Sequence, residues 1–257
     1  MPVFPLYEGT FTVDDSKKFI PFKEGVDDIK NRPASLLVDI VPFLIKTKND
    51  LIIIDPGLGH IMDSGEYQVH ENISNAGYSA DAVTKVLLSH LHKDHAGGVS
   101  YKEGDDYKLM FPNAEYFVQQ GEMDNALHKT SNSFELEKLK FLLSSKNLTF
   151  LKGDGNINAD IHYEVINGHT LYHQAFLITD GAIKYYYGGD VLPQPQQLQR
   201  KFIAKYDYNG KAAAEKRIEI GRAAAQNDWQ VLFFHSGNLS VGTVSYADGH
   251  FKVNKIL

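Results

Sequence analysis

The chain contains no cysteine. That absence excludes disulfides, thiolate nucleophiles and sulfur ligands together, so any metal site must be built from imidazole and carboxylate. Long apolar runs are missing too. No stretch approaches the roughly 20 apolar residues that a membrane-spanning helix needs. The start, Met1-Pro2-Val3-Phe4-Pro5-Leu6-Tyr7-Glu8, has neither the basic n-region nor the long apolar h-region of a secretory signal. A cytoplasmic protein with no membrane partner is therefore expected. Positive charge is in deficit, with 26 Lys and Arg against 32 Asp and Glu and a formal net charge of −6. Phosphate contacts require a basic surface, so no nucleic-acid partner is expected. The Gly-x-Ser-x-Gly elbow of α/β-hydrolase serine nucleophiles is also absent.

What remains is an ordinary globular composition, 43% apolar and 23% charged over 257 residues. Neither a linker nor an internal repeat divides it, so residues 1–257 read as one domain. Strands are expected at 34–42, 43–48, 51–54, 83–88, 114–118, 149–151, 161–166, 174–179, 183–187 and 230–234. Asp180-Gly181 reads as a hairpin turn. Helices are expected at 119–129, 134–143 and 211–226, the last with Ile218, Ala224 and Ala225 facing inward. Residues 60–79 read as loop plus a helix. Tyr185-Tyr186-Tyr187 reads as strand alternating between core and surface.

One segment stands apart. Between Ser89 and Gly98 the chain reads Ser-His-Leu-His-Lys-Asp-His-Ala-Gly-Gly, which packs His90, His92, Asp94 and His95 into one short stretch. Burying four such groups without a cation is very unfavourable, and imidazole with carboxylate suits zinc and other borderline first-row metals. The run follows an aliphatic strand, so its ligands stand at the mouth of a sheet. Ala-Gly-Gly then reads as the entry to the next helix. Three further candidates, His169, Asp190 and His235, each follow an expected strand and neighbour glycine. Together the set gives two metals three or four protein ligands each and leaves open positions, as catalytic sites do.

His-x-His-x-Asp-His, the later Gly168-His169-Thr170, Gly189-Asp190 after a hairpin, the strand-terminal His235 and the upstream Ile53-Ile54-Asp55-Pro56-Gly57 resemble the metallo-β-lactamase superfamily. The resemblance implies an α/β fold, a four-layer αββα sandwich of two pseudo-symmetric halves with metals at one edge of the sheets. It implies that His90, His92 and His169 hold a first metal, that Asp94, His95 and His235 hold a second, and that Asp190 bridges them. His173 and Asp55 are implied as supports of the site from outside.

The chemistry implied is that of a metal-dependent hydrolase. Two divalent ions, zinc first and manganese or iron as alternatives, generate a bridging hydroxide that attacks an ester or lactone carbonyl. Asp94 is the catalytic residue that takes and returns the proton. A small-molecule substrate and a monomer or homodimer are expected. A thioesterase or phosphotriesterase-like hydrolase is the alternative within the fold. An iron-dependent thiol or persulfide oxidoreductase is the alternative outside hydrolysis. Lactonases of the superfamily place a tyrosine shortly after the bridging Asp, whereas Asp190 is followed by Val191-Leu192-Pro193-Gln194-Pro195. Tyr206 or Tyr208 would have to substitute, and the Pro/Gln-rich 193–199 stretch is expected to shape the pocket mouth.

Overall fold

The computed structural model describes residues 3–129, 131–199 and 202–257. The first half supplies β1 (Val3–Pro5), β2 (Gly9–Val13), β3 (Phe19–Pro21), β4 (Leu36–Ile40), β5 (Phe43–Lys46), β6 (Leu51–Ile54) and α1 (Gln68–Asn75). It continues through β7 (Lys85–Leu87), α2 (Lys93–Ala96), β8 (Ser100–Glu103), β9 (Asp106–Leu109), β10 (Glu115–Gln119), α3 (Gln120–His128), α4 (Leu136–Ser144) and β11 (Leu148–Leu151). The second half adds β12 (Gly155–Asn156), β13 (Ile161–Val165), β14 (Gln174–Asp180), β15 (Ile183–Tyr187) and α5 (Gln196–Gln199). It ends with α6 (Gly210–Gln226), β16 (Gln230–Leu232), β17 (Val241–Ala247) and β18 (His250–Lys255).

Leu51-Ile52-Ile53-Ile54 has no polar position, and such a strand is stable only with both faces covered. All four residues are buried. β6 accordingly lies inside a six-stranded sheet of order β1-β5-β6-β7-β10-β11, whose last four strands run parallel. One face of this sheet, with Ile53, Val86 and Val118, packs on Ile73, Met123 and Leu139 of the helices α1, α3 and α4. The other face, with Ile52, Ile54, Leu87 and Phe117, meets Phe176, Ile178, Tyr185 and Tyr187 of a seven-stranded sheet, β12 to β18 in sequence order. Behind that second sheet, Ala175, Tyr186 and Val231 pack against Ile220 and Ala224 of α6. The layers run helix, sheet, sheet, helix, as the sequence implied.

Two expectations are corrected by this layering. Tyr185, Tyr186 and Tyr187 alternate between faces, but all three are buried because β15 is covered on both sides. Ile218 is exposed, whereas the buried stripe of α6 is Ala213, Arg217, Ile220, Gly221 and Ala224. That stripe keeps helical spacing but includes an arginine and a glycine, which do not announce an inward face.

The topology brings strand ends together. β6, β7, β10 and β11 are parallel, so the chain leaves β6 at Asp55 and β7 at Leu88 on the same edge. In the second sheet β15 and β16 are parallel, and β13 shares their direction through two antiparallel steps. Their carboxyl ends lead to His169, Asp190 and His235, the edge where α/β sheets keep their chemistry. A three-stranded sheet, β3-β2-β4, stands beside this edge. It uses residues before 34, to which the sequence reading assigned no element. Among the described residues no helix is long and apolar enough to cross a membrane.

Candidate metal centre

His90 and His92 lie in the loop after β7, and Asp94 and His95 fall within the single turn of α2. The helix therefore starts inside the motif, not after Ala-Gly-Gly. The two glycines have a different task. Gly98 N donates to Gly57 O at 2.8 Å, and a Cβ on Gly97 or Gly98 would run into the carbonyls of Leu58 or Pro56. Only glycine lets the loop after β6 close against α2.

All seven candidate residues meet at this edge. His90 Nε2 and His169 Nε2 lie 3.1 and 3.0 Å from His92 Nδ1. Asp94 Oδ2 lies 3.8 Å from His95 Nε2 and 3.6 Å from His235 Nε2. Asp190 stands between the trios. Its Oδ1 is 3.0 Å from His95 Nε2 and 3.1 Å from His235 Nε2, while Oδ2 is 3.3 Å from His169 Nε2. Within each trio the donor atoms lie within 4.8 Å of one another.

The outward ring nitrogens are held by fixed partners, which sets which nitrogen faces the centre. His95 Nδ1 donates to Asp55 Oδ2 at 2.8 Å, His169 Nδ1 to Asp207 Oδ1 at 2.9 Å, and His235 Nδ1 to the Asp39 carbonyl at 2.7 Å. His90 Nδ1 pairs with Ser89 Oγ at 3.0 Å. Asp55 also groups with His90 and His95 by distance. Its oxygens, however, already accept Ser89 N at 2.7 Å, Ser89 Oγ at 2.5 Å and Tyr187 OH at 2.6 Å. With His95 Nδ1, three of these four bonds fall on Oδ2, the oxygen nearest the histidines, which is thereby occupied by protein donors. His173 stacks on His90 with ring centroids 4.9 Å apart, and its Nε2 accepts the Asp190 backbone N–H at 3.1 Å. Gly189 makes this possible, since a Cβ there would overlap His173 and Ser89.

Burial and neighbouring imidazoles hold His90 and His92 well below the ordinary histidine pKa, so each presents a neutral lone pair. Burial is the largest influence on His95 and His235 and would lower both, but the surrounding carboxylates, Asp190 first and Asp94 with it, together raise them. Burial would raise Asp190, and the surrounding histidines, His95 first, bring it well below the usual carboxylate range. The centre is thus ionised carboxylate among imidazoles. His95 Nε2 and Asp190 Oδ1, although close, are not aligned as a hydrogen bond, and both are buried without one. Unpaired buried polar atoms are strongly unfavourable. The neutral lone pairs of His90 and His92, and the ionised Asp190 that draws positive charge onto His95 and His235, make a donor set that fits a divalent cation.

The cleft above the centre measures about 380 Å³. One wall is Val13, Phe19, Leu36 and Val38 of the small sheet, and the other is Ser131, Ser133 and Phe134. Tyr206 lines it beside Asp190, with its ring 5.8 Å from that of His169. Tyr208 does not line it; its backbone N–H supports His169 O at 3.0 Å. Nor does the 193–199 stretch shape the mouth as expected. Gln194 Nε2 donates to His235 O at 3.0 Å, Pro193 O accepts His235 N at 3.0 Å, and Gln197 to Gln199 line a separate groove against α6. Sequence reasoning missed Asp207 and Asp39, because a buried partner remote in sequence leaves no spacing to read.

N-acyl homoserine lactonases of Bacillus thuringiensis, including AiiA of subspecies kurstaki, are 25% identical to this chain over 166 residues. The alignment covers 57% of this chain and 61% of those relatives, less than two thirds of their length. Among solved structures, AidC, a dizinc quorum-quenching lactonase, superposes with a TM-score of 0.77 at 20% identity over 99% of this chain and 94% of its own. The hydrolase AbOPH of the beta-lactamase superfamily gives 0.76 at 25% identity over the same shares, 99% and 94%. A probable metal-dependent hydrolase from Staphylococcus aureus gives 0.74 at 20% identity over 100% and 98%. At 20% to 25% identity these likenesses establish fold. The family model of the metallo-beta-lactamase superfamily matches residues 38–235, and with the fold and the order of the motifs it establishes that the chain belongs to that superfamily.

Proposed function

We propose that this protein is a metal-dependent hydrolase of an ester or lactone bond, working with two divalent cations, zinc first among them. The observation that carries the reading is the placement of Asp190, one oxygen toward His169 and the other toward His95 and His235, between two trios of ligand atoms. His90, His92 and His169 would hold one cation, Asp94, His95 and His235 the other, and Asp190 would touch both. Such a pair supplies Lewis acidity and makes water acidic enough to attack near neutral pH.

The chain's own groups supply the rest. Asp94 lines the cleft, and it would take a proton from the attacking water and return it to the leaving oxygen. Burial and the nearby Asp190 push the Tyr206 hydroxyl above its ordinary pKa, so it stays protonated and can donate to the substrate's carbonyl oxygen. The apolar wall of Val13, Phe19, Leu36 and Val38 supports a substrate with an aliphatic arm. Lactones are favoured because the curated relatives are named as N-acyl homoserine lactonases.

The test is a hydrolysis panel on zinc-, manganese- and iron-loaded protein, covering homoserine lactones, aryl esters, thioesters, phosphotriesters and β-lactams. Ester or lactone turnover is expected to dominate. His92→Ala and Asp94→Ala are each expected to lower kcat/KM by about 10³-fold with unchanged circular dichroism. Near-normal rates in either variant would place the chemistry elsewhere. One bound iron with thiol-dependent oxygen uptake would replace hydrolysis with the oxidoreductase alternative.

A further inference from the structure

The charges around the cleft are asymmetric in a way the hydrolase reading does not use. Its carboxylates, Asp94 and Asp190, both face the histidines. The other charged residues lining it are Lys17, Lys93 and Lys129, in a chain whose net charge is −6. Lys93 has only a long contact, 3.8 Å, to the exposed Glu135. Among the described residues Lys17 and Lys129 have no carboxylate partner.

Lys17 carries a second observation. It sits in the turn between β2 and β3 with φ +60°, a left-handed conformation that glycine or asparagine adopts more easily. A long cationic side chain thus stands at a position where glycine would strain the turn less, and strained positions of this kind cluster at ligand clamps. On the opposite wall, Lys93 N donates to Ser133 O at 2.8 Å, which fixes the start of α2 against the Ser131–Phe134 segment. Lys129 caps the end of α3 just before that segment.

We propose that the cleft selects a substrate bearing an anionic group, a carboxylate or phosphate, on an apolar scaffold. The aliphatic part lies on the β2–β3–β4 wall, and the anion lies at the mouth among the three ammonium groups. This rests on the hydrolase reading for the bond that is broken, but the lysines' role in binding is separable from it. Ammonium groups on flexible stems act at range in such a mouth, and salt screens them.

The experiment compares 4-nitrophenyl octanoate with the 4-nitrophenyl monoester of octanedioic acid, which replaces the terminal methyl by a carboxylate. At low salt the anionic ester is expected to be preferred about tenfold in kcat/KM, corresponding to about 1.4 kcal/mol. In wild type that ratio should fall toward one in 1 M NaCl, where the screening length is about 3 Å. It should also fall toward one in the Lys17→Gln/Lys93→Gln/Lys129→Gln variant. Equal or better use of the neutral ester, or a ratio untouched by the triple substitution, overturns the proposal. A calorimetric titration of the zinc-loaded protein with 1-octanesulfonate gives a readout independent of turnover. Binding at least tenfold weaker in the triple variant supports the lysines' role, and equal or absent binding in wild type removes it. Failure to cleave any ester or lactone counts against the hydrolase reading, and the sulfonate titration still decides this one.

Discussion

His169 is oriented by a carboxylate 38 positions further along the chain, Asp207, and nothing else touches that ring's Nδ1 among the described residues. Without the acceptor the ring is free to rotate and the tautomer is no longer imposed. Asp207→Ala is therefore expected to weaken zinc binding 10- to 100-fold in a chelator competition, on the scale typical of such outer partners. Asp207→Asn keeps an acceptor oxygen and should lose less. Equal affinity in wild type and Asp207→Ala would show that packing alone holds the ring. Glu8 makes a second residue-scale case. It is buried, accepts Leu58 N at 2.7 Å and His60 N at 2.6 Å, and burial pushes its pKa up to about 7 from 4.5. A carboxyl that binds its proton more tightly when folded contributes stability that is present below pH ~4.5 and lost as pH rises through ~7. The shift corresponds to on the order of 3 kcal/mol. Urea unfolding of wild type and Glu8→Gln should give stability curves that diverge across that window and run parallel above it, whereas curves parallel throughout would mean that Glu8 does not titrate there.

At the scale of elements, α6 braces two site-bearing loops through one buried side chain. Arg217 Nε donates to Val191 O at 2.8 Å, next to Asp190, and an Nη donates to Phe202 O at 3.0 Å, in the segment that leads to Tyr206 and Asp207. Arg217→Met keeps the bulk and leaves both carbonyls unpaired. A loss of on the order of 2–3 kcal/mol is expected, seen as a fall of roughly 5–10 °C in Tm. An unchanged Tm would mean that water replaces the guanidinium. This arginine also shows where the sequence stops being readable. Of the expected inward positions on α6, Ala224 is buried and Ala225 partly so, but Ile218 is exposed while Arg217 and Gly221 lie on the buried face. Gly221 is there because Leu198 and Phe251 pack where its side chain would be. The seven candidate ligands were legible because close spacing and strand-end glycines are local signals. The cleft wall was not, since Val13, Phe19 and Leu36 acquire their meaning only when β2, β3 and β4 pair with one another. Between Tyr206 and Tyr208 the sequence does not choose, and only the loop that carries Asp207 brings Tyr206 to the cleft.

For the whole molecule, the two halves meet through the inter-sheet core and again at the metal centre. His90, His92, Asp94 and His95 come from the first half, and His169, Asp190 and His235 from the second. Cations bound there would add to an interface that apolar packing and a few hydrogen bonds, such as Tyr187 OH to Asp55 Oδ2 and Gln174 Nε2 to Leu88 O, already hold. They also compete with protons for buried lone pairs, so binding should appear as global stability. A ligand at about 1,000 times its Kd adds about 4 kcal/mol, which for a chain of this length corresponds to on the order of 10 °C in Tm. Thermal unfolding with excess zinc against the chelated protein should show that rise. His92→Ala removes a candidate ligand from one trio and Asp94→Ala from the other, so each should retain part of the rise. Asp190→Ala, which disturbs both trios, should lose nearly all of it. If His92→Ala abolishes the rise and Asp94→Ala leaves it intact, the protein holds a single stabilising cation, in the His90–His92–His169 trio. A rise that survives Asp190→Ala in full would put the zinc somewhere other than between the two sheets.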